Sequence, residues 1–537
     1  MIKQALNGTT KSITGAAIIL GAASFLSRLM GIVRDRIFAH YFGAGDVLDA
    51  YYAAFRIPDM VYNLLIVGAL SAGFIPVFMK VVAKNKEEAW KVTNSILNIL
   101  GIGLLIVCGI LFIFTPQVMQ LIVPGFSGEK MEMTVMLTRI MFLSPILLGI
   151  SSVVSGVLQS FKSFAIYSLT PIMYNLGIII GAVFFVPIWN VKGLAYGVLL
   201  GALLHLLIQL PTFFKYGFKY KPLMAFQNKH VRQIGKLMIP RTLGLATSQL
   251  NLVAITAIAS TLAVGSVAVF NFASNLQYFP IGIIGISFAV AAFPTLSGLI
   301  AEKKQDEMID HLSHTMRQIL FFIVPLTILF LLLRAQIVRV VLGTGMFDWE
   351  ATILTADTLA FFSLSLFAQC LIPLLARGFY AVEDTWTPFL ASLVGMLVTV
   401  IAALQLKDLY GIAGIALGFS IGVILQLCLL WIILRSKLGT LGEAKIVNTL
   451  LKISGAALIM ALTVQLLKEP LASFVNMEKF WGVALQGTLS GLAGLIVYAG
   501  LCYIFKVQEM IEFGRSFKKR FLKLKDYQGE VGDADKI

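Results

Sequence analysis

Charge is scarce in this chain of 537 residues: Asp, Glu, Lys and Arg together make up 13%, against 58% for apolar types. A soluble domain is usually about a quarter charged. The shortage excludes an ordinary water-soluble enzyme and a disordered chain. Cysteine is nearly missing as well. The four present, Cys108, Cys370, Cys428 and Cys502, lie in apolar stretches without a CxxC spacing. That excludes a secreted disulfide scaffold and reads them as small buried hydrophobes. Histidine occurs five times, and there is no GxxxxGK[ST] loop, so the chain holds no ATP-driven motor of its own. His311 and His314 form an HxxH pair on a short charged segment with no third ligand nearby. It reads as a solvated helix face, and no metal site is expected.

What is abundant is apolar sequence in runs of helical length. The chain reads as an all-α polytopic membrane protein with about fourteen spans. They fall near 13–38, 47–79, 92–115, 134–160, 166–188, 193–214, 235–263, 267–299, 316–342, 354–380, 386–405, 411–434, 449–467 and 481–505. Each is long enough for a hydrocarbon core of about 30 Å at about 1.5 Å per residue. The first follows Lys3 and Lys11 and imitates a secretion signal, but the spans behind it make it an uncleaved membrane helix. The longest outside loop is expected at 116–133.

Basic residues set the orientation. Segment 80–91 carries four Lys, and 215–236 carries five Lys and one Arg without an acid. The opposite loops hold little beyond Lys130, Lys192, Lys407, Lys468 and Lys479. This bias places both termini in the cytoplasm. The formal charge of +15 then belongs to cytoplasmic loops beside anionic membrane lipid. No nucleic-acid partner is expected, because no reading motif accompanies the charge. The tail 506–537 reads as a basic, partly amphipathic surface segment.

The two halves repeat. GLAYGVLLG (193–201) recurs as GIALGFSIG (414–422), with three glycines matched at 414 − 193 = 221. GFIPVF around Pro76 is echoed by AAFPTL around Pro294, and TPIM (170–173) by TPFL (387–390). Six helices per copy bring both copies into the membrane from the same side, a parallel repeat. The expected organisation is an N-lobe of helices 1–6 (1–225), a C-lobe of helices 7–12 (226–440), a C-terminal helix pair (441–505) and a basic cytoplasmic tail (506–537).

The few charges inside the spans carry the functional argument. The uncharged part of the first span, 13–26, covers about 21 Å, too little to cross. The helix must continue through Arg28, which then lies within the membrane, followed by Arg34, Asp35 and Arg36. A charge at depth costs roughly 2.5–3.5 kcal/mol and faces a wet cavity or a partner. Arg28 and Asp35 are seven apart, on nearly one face. The second span repeats the spacing with Asp49, Arg56 and Asn63, and Pro58 kinks it. Arg56 and Asp59 are placed to pair as i and i+3. In the second half, Arg241, Gln249 and Asn251 lie on helix 7, and Asn271 and Asn275 on helix 8, the asparagines suited to bonds between helices. A cavity lined by Arg forks suits a phosphate or pyrophosphate.

SFLSRLMGIVRDRIFAHYFGAGDVLDAYYAAFRIPD (24–59), FPIGIIGISFAVAAFPTLS (279–297) and GFYAVEDTWTP (378–388) resemble the MurJ (MviN) family of the MOP exporter superfamily. The resemblance implies two six-helix lobes around a central cavity, plus two C-terminal helices. It implies transport of lipid II, the undecaprenyl-pyrophosphate-linked peptidoglycan precursor, from the cytoplasmic to the outer leaflet of the cell membrane by alternating access. It places the family's S-R-x-x-G arginine on Arg28, its R-D pair on Arg34 and Asp35, its D-A aspartate on Asp49, and its basic residue before the proline step on Arg56. These residues and Arg241 form the expected substrate-binding set, with Asn63, Gln249 and Asn275 as polar support. Where some members carry Arg in helix 8, this chain has Asn275, and Arg241 is expected to supply the charge instead. Helix 7 has no acid after Arg241, so the sodium site of some members is not expected here. No cofactor is expected; the drive is the membrane potential or a monovalent cation. The partners are the lipid-linked substrate and membrane lipids, and the chain is expected to be monomeric.

Other functions fit less well. A flippase for another undecaprenyl-linked oligosaccharide shares the pyrophosphate and is the alternative. A drug antiporter would line its cavity with carboxylates for cations. A membrane glycosyltransferase would need a catalytic acid in a sizeable outside loop, whereas Glu129, Glu132, Asp348 and Glu350 sit in short ones.

Overall fold

The computed structural model describes residues 13–67 and 73–515; the side chains of 13–19, 67, 239–241, 243 and 244 lie outside the described set. Every regular element among the described residues is a helix. We number the long ones α1 (Ile13–Phe42), α2 (Asp46–Tyr62), α3 (Lys86–Ile113), α4 (Gly128–Ser160), α5 (Phe164–Trp189), α6 (Lys192–Lys215), α7 (Lys229–Ser260), α8 (Ser266–Ala301), α9 (Gln305–Leu332), α10 (Trp349–Ser363 with Leu366–Ala381), α11 (Trp386–Leu438), α12 (Glu443–Phe474) and α13 (Phe480–Ile504).

Among the described residues, nine helices are long and apolar enough to cross a membrane, and ten if the bent pair α10 is one span. Two expected spans, 13–38 and 235–263, fall on helices that carry charge, and a third, 47–79, includes residues 68–72, which lie outside the described residues. The chain is thus a multi-pass, all-helical membrane protein.

Local chemistry explains where helices start and break. The N-cap Asn85 of α3 accepts from Glu88 N at 3.0 Å, and Glu87 and Glu88 complement the dipole in its first turn. Asn228 caps α7 through His230 N at 2.8 Å. Helix α11 has 53 residues, about 80 Å at 1.5 Å per residue and far more than one crossing needs. Gly411 at φ 56° breaks it into two arms, each long enough to cross. The 44° bend of α10 falls after Ser363, whose hydroxyl bonds back to Leu359 O, while that of Ser365 takes Phe362 O. Wide π-turns stand at Asn63–Val67, Gly181–Phe185 and Ile281–Ile286, the last directly after Pro280.

The repeat is written into the packing. A Cβ on Gly193 would meet the Phe185 backbone, one on Gly197 the Gly181 backbone, and one on Gly201 the Tyr174 backbone. In the second copy a Cβ on Gly414 would meet Leu406, and one on Gly418 the Ala402–Ala403 peptide; a Cβ on Gly395 would meet Gly422 O. The partners keep the glycine offset: 406 − 185, 402 − 181 and 395 − 174 all equal 221. Each copy presses two antiparallel helices together, backbone on backbone.

The chain separates into two compact units. One comprises Met1–Asn275, Val341–Thr355 and Met396–Gly418; the other comprises Leu276–Val340, Ala356–Gly395 and Phe419–Ile537. The second unit holds a buried cluster that includes Leu312, Ile319, Leu374 and Phe379. There Arg317 and Glu509 form an ion pair at 2.6 Å, with side chains 7% and 1% exposed.

Three expectations change. His314 is not on a solvated face: Nε2 lies 3.3 Å from Glu512 and 3.0 Å from Gln318, because residues 508–515 form a helix that packs there. Cys428 is exposed rather than buried; on an apolar helix such a residue faces acyl chains. The outside loop 116–133 is largely helical, with Thr115–Ile122 before the start of α4. The tail beyond residue 515 lies outside the described residues.

Candidate functional site

All described members of the site belong to the first unit. Helix α1 runs unbroken through Arg28 to Phe42, so its charges are carried by helix rather than loop. Arg28 and Asp35 lie nearly on one face, and Arg28 is half-buried. Arg34 donates from Nε and Nη2 to Asp35 Oδ1 at 3.0 and 2.9 Å. Its Nη1 donates to Asn175 Oδ1 on α5 at 3.3 Å, and its guanidinium stands 6.0 Å over the Phe38 ring. Asn175 donates in turn to Ser27 O and Pro171 O. Asp35 is buried, and its second oxygen accepts from Asn275 Nδ2 on α8 at 2.8 Å. One carboxylate thus orients an arginine and ties α1 to α8.

Arg56 is held differently. Its Nε donates to Thr256 Oγ1 on α7 at 2.7 Å, and its Nη2 to Asn271 Oδ1 on α8 at 2.8 Å. Both acceptors are neutral, so the hydrogen bonds position the guanidinium without themselves supplying a counter-charge. Among the described residues, Arg56 and Asp59 do not close to the expected ion pair, although the two charges still act on each other, and the Asp59 backbone oxygen accepts from Asn63 Nδ2 at 2.9 Å. Asn63 therefore serves its own helix. Pro58 sits inside α2, five residues before the π-turn at Asn63–Val67. That turn leaves Leu64 O available, and Thr242 Oγ1 on α7 takes it at 3.0 Å.

Asp49 has an occupation the sequence did not announce. It is 1% exposed. Oδ2 accepts from Lys130 Nζ at 2.7 Å and from Gly265 N at 2.7 Å, and Oδ1 accepts from Ala268 N at 2.8 Å. Helix α8 begins at Ser266, so Asp49 on α2 caps the N-terminus of α8 across 216 residues of sequence. Lys130 also bridges Asp46 at 2.7 Å and lies 4.2 Å from the Phe126 ring centroid.

Neighbouring contacts join the same ends. Gly125 N donates to Ser260 Oγ at 3.2 Å. His40 Nδ1 meets Thr344 Oγ1 at 3.0 Å, Met346 N donates to His40 O at 3.0 Å, and Arg36 Nη1 donates to Val341 O at 3.2 Å. Gly265 at φ +87° and Gly345 at φ +60° stand where a Cβ would strike Ala44 O and His40 O.

The remaining expected residues stand apart. Arg241 lies in α7, with its side chain outside the described residues. Gln249 is half-buried on α7, and the nearby Asn251 Oδ1 is buried without a hydrogen-bond partner among the described residues. Lys130, Asn175 and Thr256 were not singled out in the sequence. A lone Asn in an apolar span was the available signal for Asn175; Lys130 looked like a loop lysine.

The chemistry available is anion binding on a rigid frame. Arg28, Arg34 and Arg56 project from two helices, Arg34 balanced by Asp35 and Arg56 by no carboxylate among its hydrogen-bond partners.

Comparison with known proteins adds an independent line. The sequence model of one family, described as "Lipid II flippase MurJ", matches residues 38–485. The lipid II flippase MurJ of Burkholderia cenocepacia is 28% identical over 455 residues, covering 83% of this chain and 88% of that protein. The probable lipid II flippase MurJ of Vibrio cholerae is 30% identical over 520 residues, covering 92% and 96%. Among solved structures, a lipid II flippase MurJ in an inward closed conformation superposes with a TM-score of 0.77 at 25% identity, covering 91% of this chain and 98% of that one. An inward-facing MATE family transporter of the MOP superfamily superposes with 0.67 at 16% identity, covering 80% and 99%, a likeness of fold alone.

Proposed function

The chain belongs to the MurJ lipid II flippase family, and on that premise we propose that it carries lipid II from the cytoplasmic to the outer leaflet by alternating access. The observation that carries the mechanism is Arg56, fixed by Thr256 and Asn271 without a counter-charge among its hydrogen-bond partners. An arginine kept cationic inside a membrane protein is costly unless an anion repays it. The substrate's pyrophosphate is that anion: Arg28 and Arg56 hold it by charge-assisted hydrogen bonds, and Arg34 follows once Asp35 lets one N–H turn. Arg241 adds charge from helix 7.

Asp49 serves the cycle as a clasp. While its carboxylate caps α8 and holds Lys130, the outer ends of α2, α4 and α8 stay bonded together. Opening to the outer leaflet requires those bonds to break, and rebinding resets them. The moving parts are the lobes 1–225 and 226–440, and the pair 441–505 is an additional element in lipid. The protein acts as a transporter, not a catalyst, as a monomer in the cytoplasmic membrane with both termini inside. Its drive is the membrane potential or a monovalent cation.

The test is complementation of a strain depleted of its own lipid II flippase. Wild type is expected to restore growth and Arg28→Ala is expected to fail, at equal membrane abundance. Rescue by both removes Arg28 from the binding set. No rescue by membrane-inserted wild type assigns the pyrophosphate site to another undecaprenyl-linked oligosaccharide.

A further inference from the structure

Away from the arginine site, the first unit carries a groove of about 630 Å³ formed by the end of α3 and the starts of α4 and α6. It shares no residue with the site described above. Its charged members are Arg139, Lys192 and Glu132, two cations to one anion. Its apolar walls include Phe112, Met136 and Tyr196. A second hollow of about 460 Å³ shares Met136 and Lys192 with it and extends the groove to Trp189.

Arg139 is set against this wall. Its Nε donates to Phe112 O at 3.3 Å, and its guanidinium lies 5.4 Å from the Phe112 ring centroid. Lys192 begins α6 and is exposed. Beyond the groove the surface turns apolar: Ile113 is 68% exposed and Ile188 67%. Such side chains are comfortable only in hydrocarbon, while a Trp beside two cations marks the level of the headgroups. A net positive, partly aromatic hollow opening onto an apolar flank fits an amphiphile with an anionic head and acyl chains.

We infer that this groove is a binding site for an anionic glycerophospholipid of the outer leaflet. Arg139 and Lys192 hold the phosphate, and Phe112, Met136 and Trp189 receive the upper acyl chain. Glu132 on the rim weakens the attraction and sets a limit on residence. A lipid seated there ties the outer ends of α3, α4 and α6 together. The leaflet rests on the orientation proposed above, but binding itself is measured without reference to sidedness. Failure here therefore leaves the flippase reading untouched, and failed complementation leaves this one untouched.

The experiment is native mass spectrometry of the full chain, delipidated in detergent and titrated with phosphatidylglycerol or phosphatidylcholine. Wild type is expected to hold its tightest phosphatidylglycerol at least tenfold more strongly than phosphatidylcholine. Arg139→Gln/Lys192→Gln is expected to weaken that lipid about 30-fold, the factor given by two basic groups near a lipid surface. Glu132→Gln is expected to tighten it about threefold, a gain that misfolding cannot imitate. An unchanged affinity in the double variant, or equal retention of the two lipids by wild type, overturns the site. Displacement by millimolar inorganic phosphate assigns it to a free anion instead. Displacement by purified lipid II at equimolar concentration assigns it to the transported lipid instead.

Discussion

Asp49→Asn isolates the clasp with one atom. The carboxylate uses Oδ2 for Lys130 and Gly265 N and Oδ1 for Ala268 N. An amide has only one acceptor. With its oxygen toward Ala268, the new NH₂ faces two donors; flipped, it serves those two and strands the Ala268 N–H. Either way at least one charge-assisted bond is lost, about 1.5–3 kcal/mol. The missing charge at a helix N-terminus removes about a further 1 kcal/mol. Together this is about 3 kcal/mol, a factor of about 150 at 1.36 kcal/mol per tenfold. Hydrogen–deuterium exchange reads it directly, because the Gly265 and Ala268 amides are the protected groups. Peptides spanning 262–270 are expected to exchange about 100-fold faster in the variant, with α12 and α13 unchanged as the control. Exchange within threefold of wild type would refute the reasoning, since the bonds would then not hold the amides closed.

Further perturbations probe other parts. Gly345→Ala puts a Cβ against His40 O at a positive φ, costing at least about 1 kcal/mol; a cysteine placed at Ala44 is then expected to react with an impermeant maleimide at least about fivefold faster, and equal rates would sink the idea. Arg241→Ala is expected to abolish complementation while Asn275→Ala, which costs Asp35 one of its partners, grows nearly normally; a fully active Arg241→Ala defeats the substitution of one arginine for another. Burial raises the pKa of Asp384, but hydrogen bonds from Lys437 and Thr387 outweigh it and hold the carboxyl down to about 2. A depressed carboxyl stabilises the fold above its ordinary pKa, and that stability fades as pH falls from about 4 to about 2. After allowance for solvent screening it amounts to about 1–2 kcal/mol. Lys437→Met is therefore expected to lower the thermal midpoint at pH 7 and to leave it unchanged at pH 2; an equal loss at both refutes the pairing.

The helices were legible because lipid imposes a simple code: long apolar runs separated by lysine-rich loops. The glycine offset was legible for a similar reason, since a backbone-to-backbone crossing tolerates only one residue type. What could not be read were partners. Nothing near Arg56 in sequence points to Thr256 and Asn271, 200 and 215 residues away. Local spacing pointed to Asp59, the nearest acid one turn on, and tertiary packing overrode it. Asp49 looked like a site carboxylate because it stands seven residues from Arg56, yet the nearest demand for a carboxylate was the open end of α8. Helix ends advertise no preferred residue elsewhere in the chain, so capping in trans is invisible until the fold brings it about. Lys130 was hidden by company: a lone lysine in an outside loop resembles every other.

The two glycine crossings have a mechanical meaning. Where Gly197 meets Gly181, and Gly418 meets the Ala402–Ala403 peptide, no side chain lies in the seam. At these points few rotamers are available to rearrange, so each crossing resists separation more than a seam of long side chains would. Deformation must be taken up at softer joints, and the π-turn at Asn63–Val67 is one, with its ladder already widened beside Pro58. Stiff members and a few compliant joints are what a machine needs if a small event at one mouth is to be felt at the other.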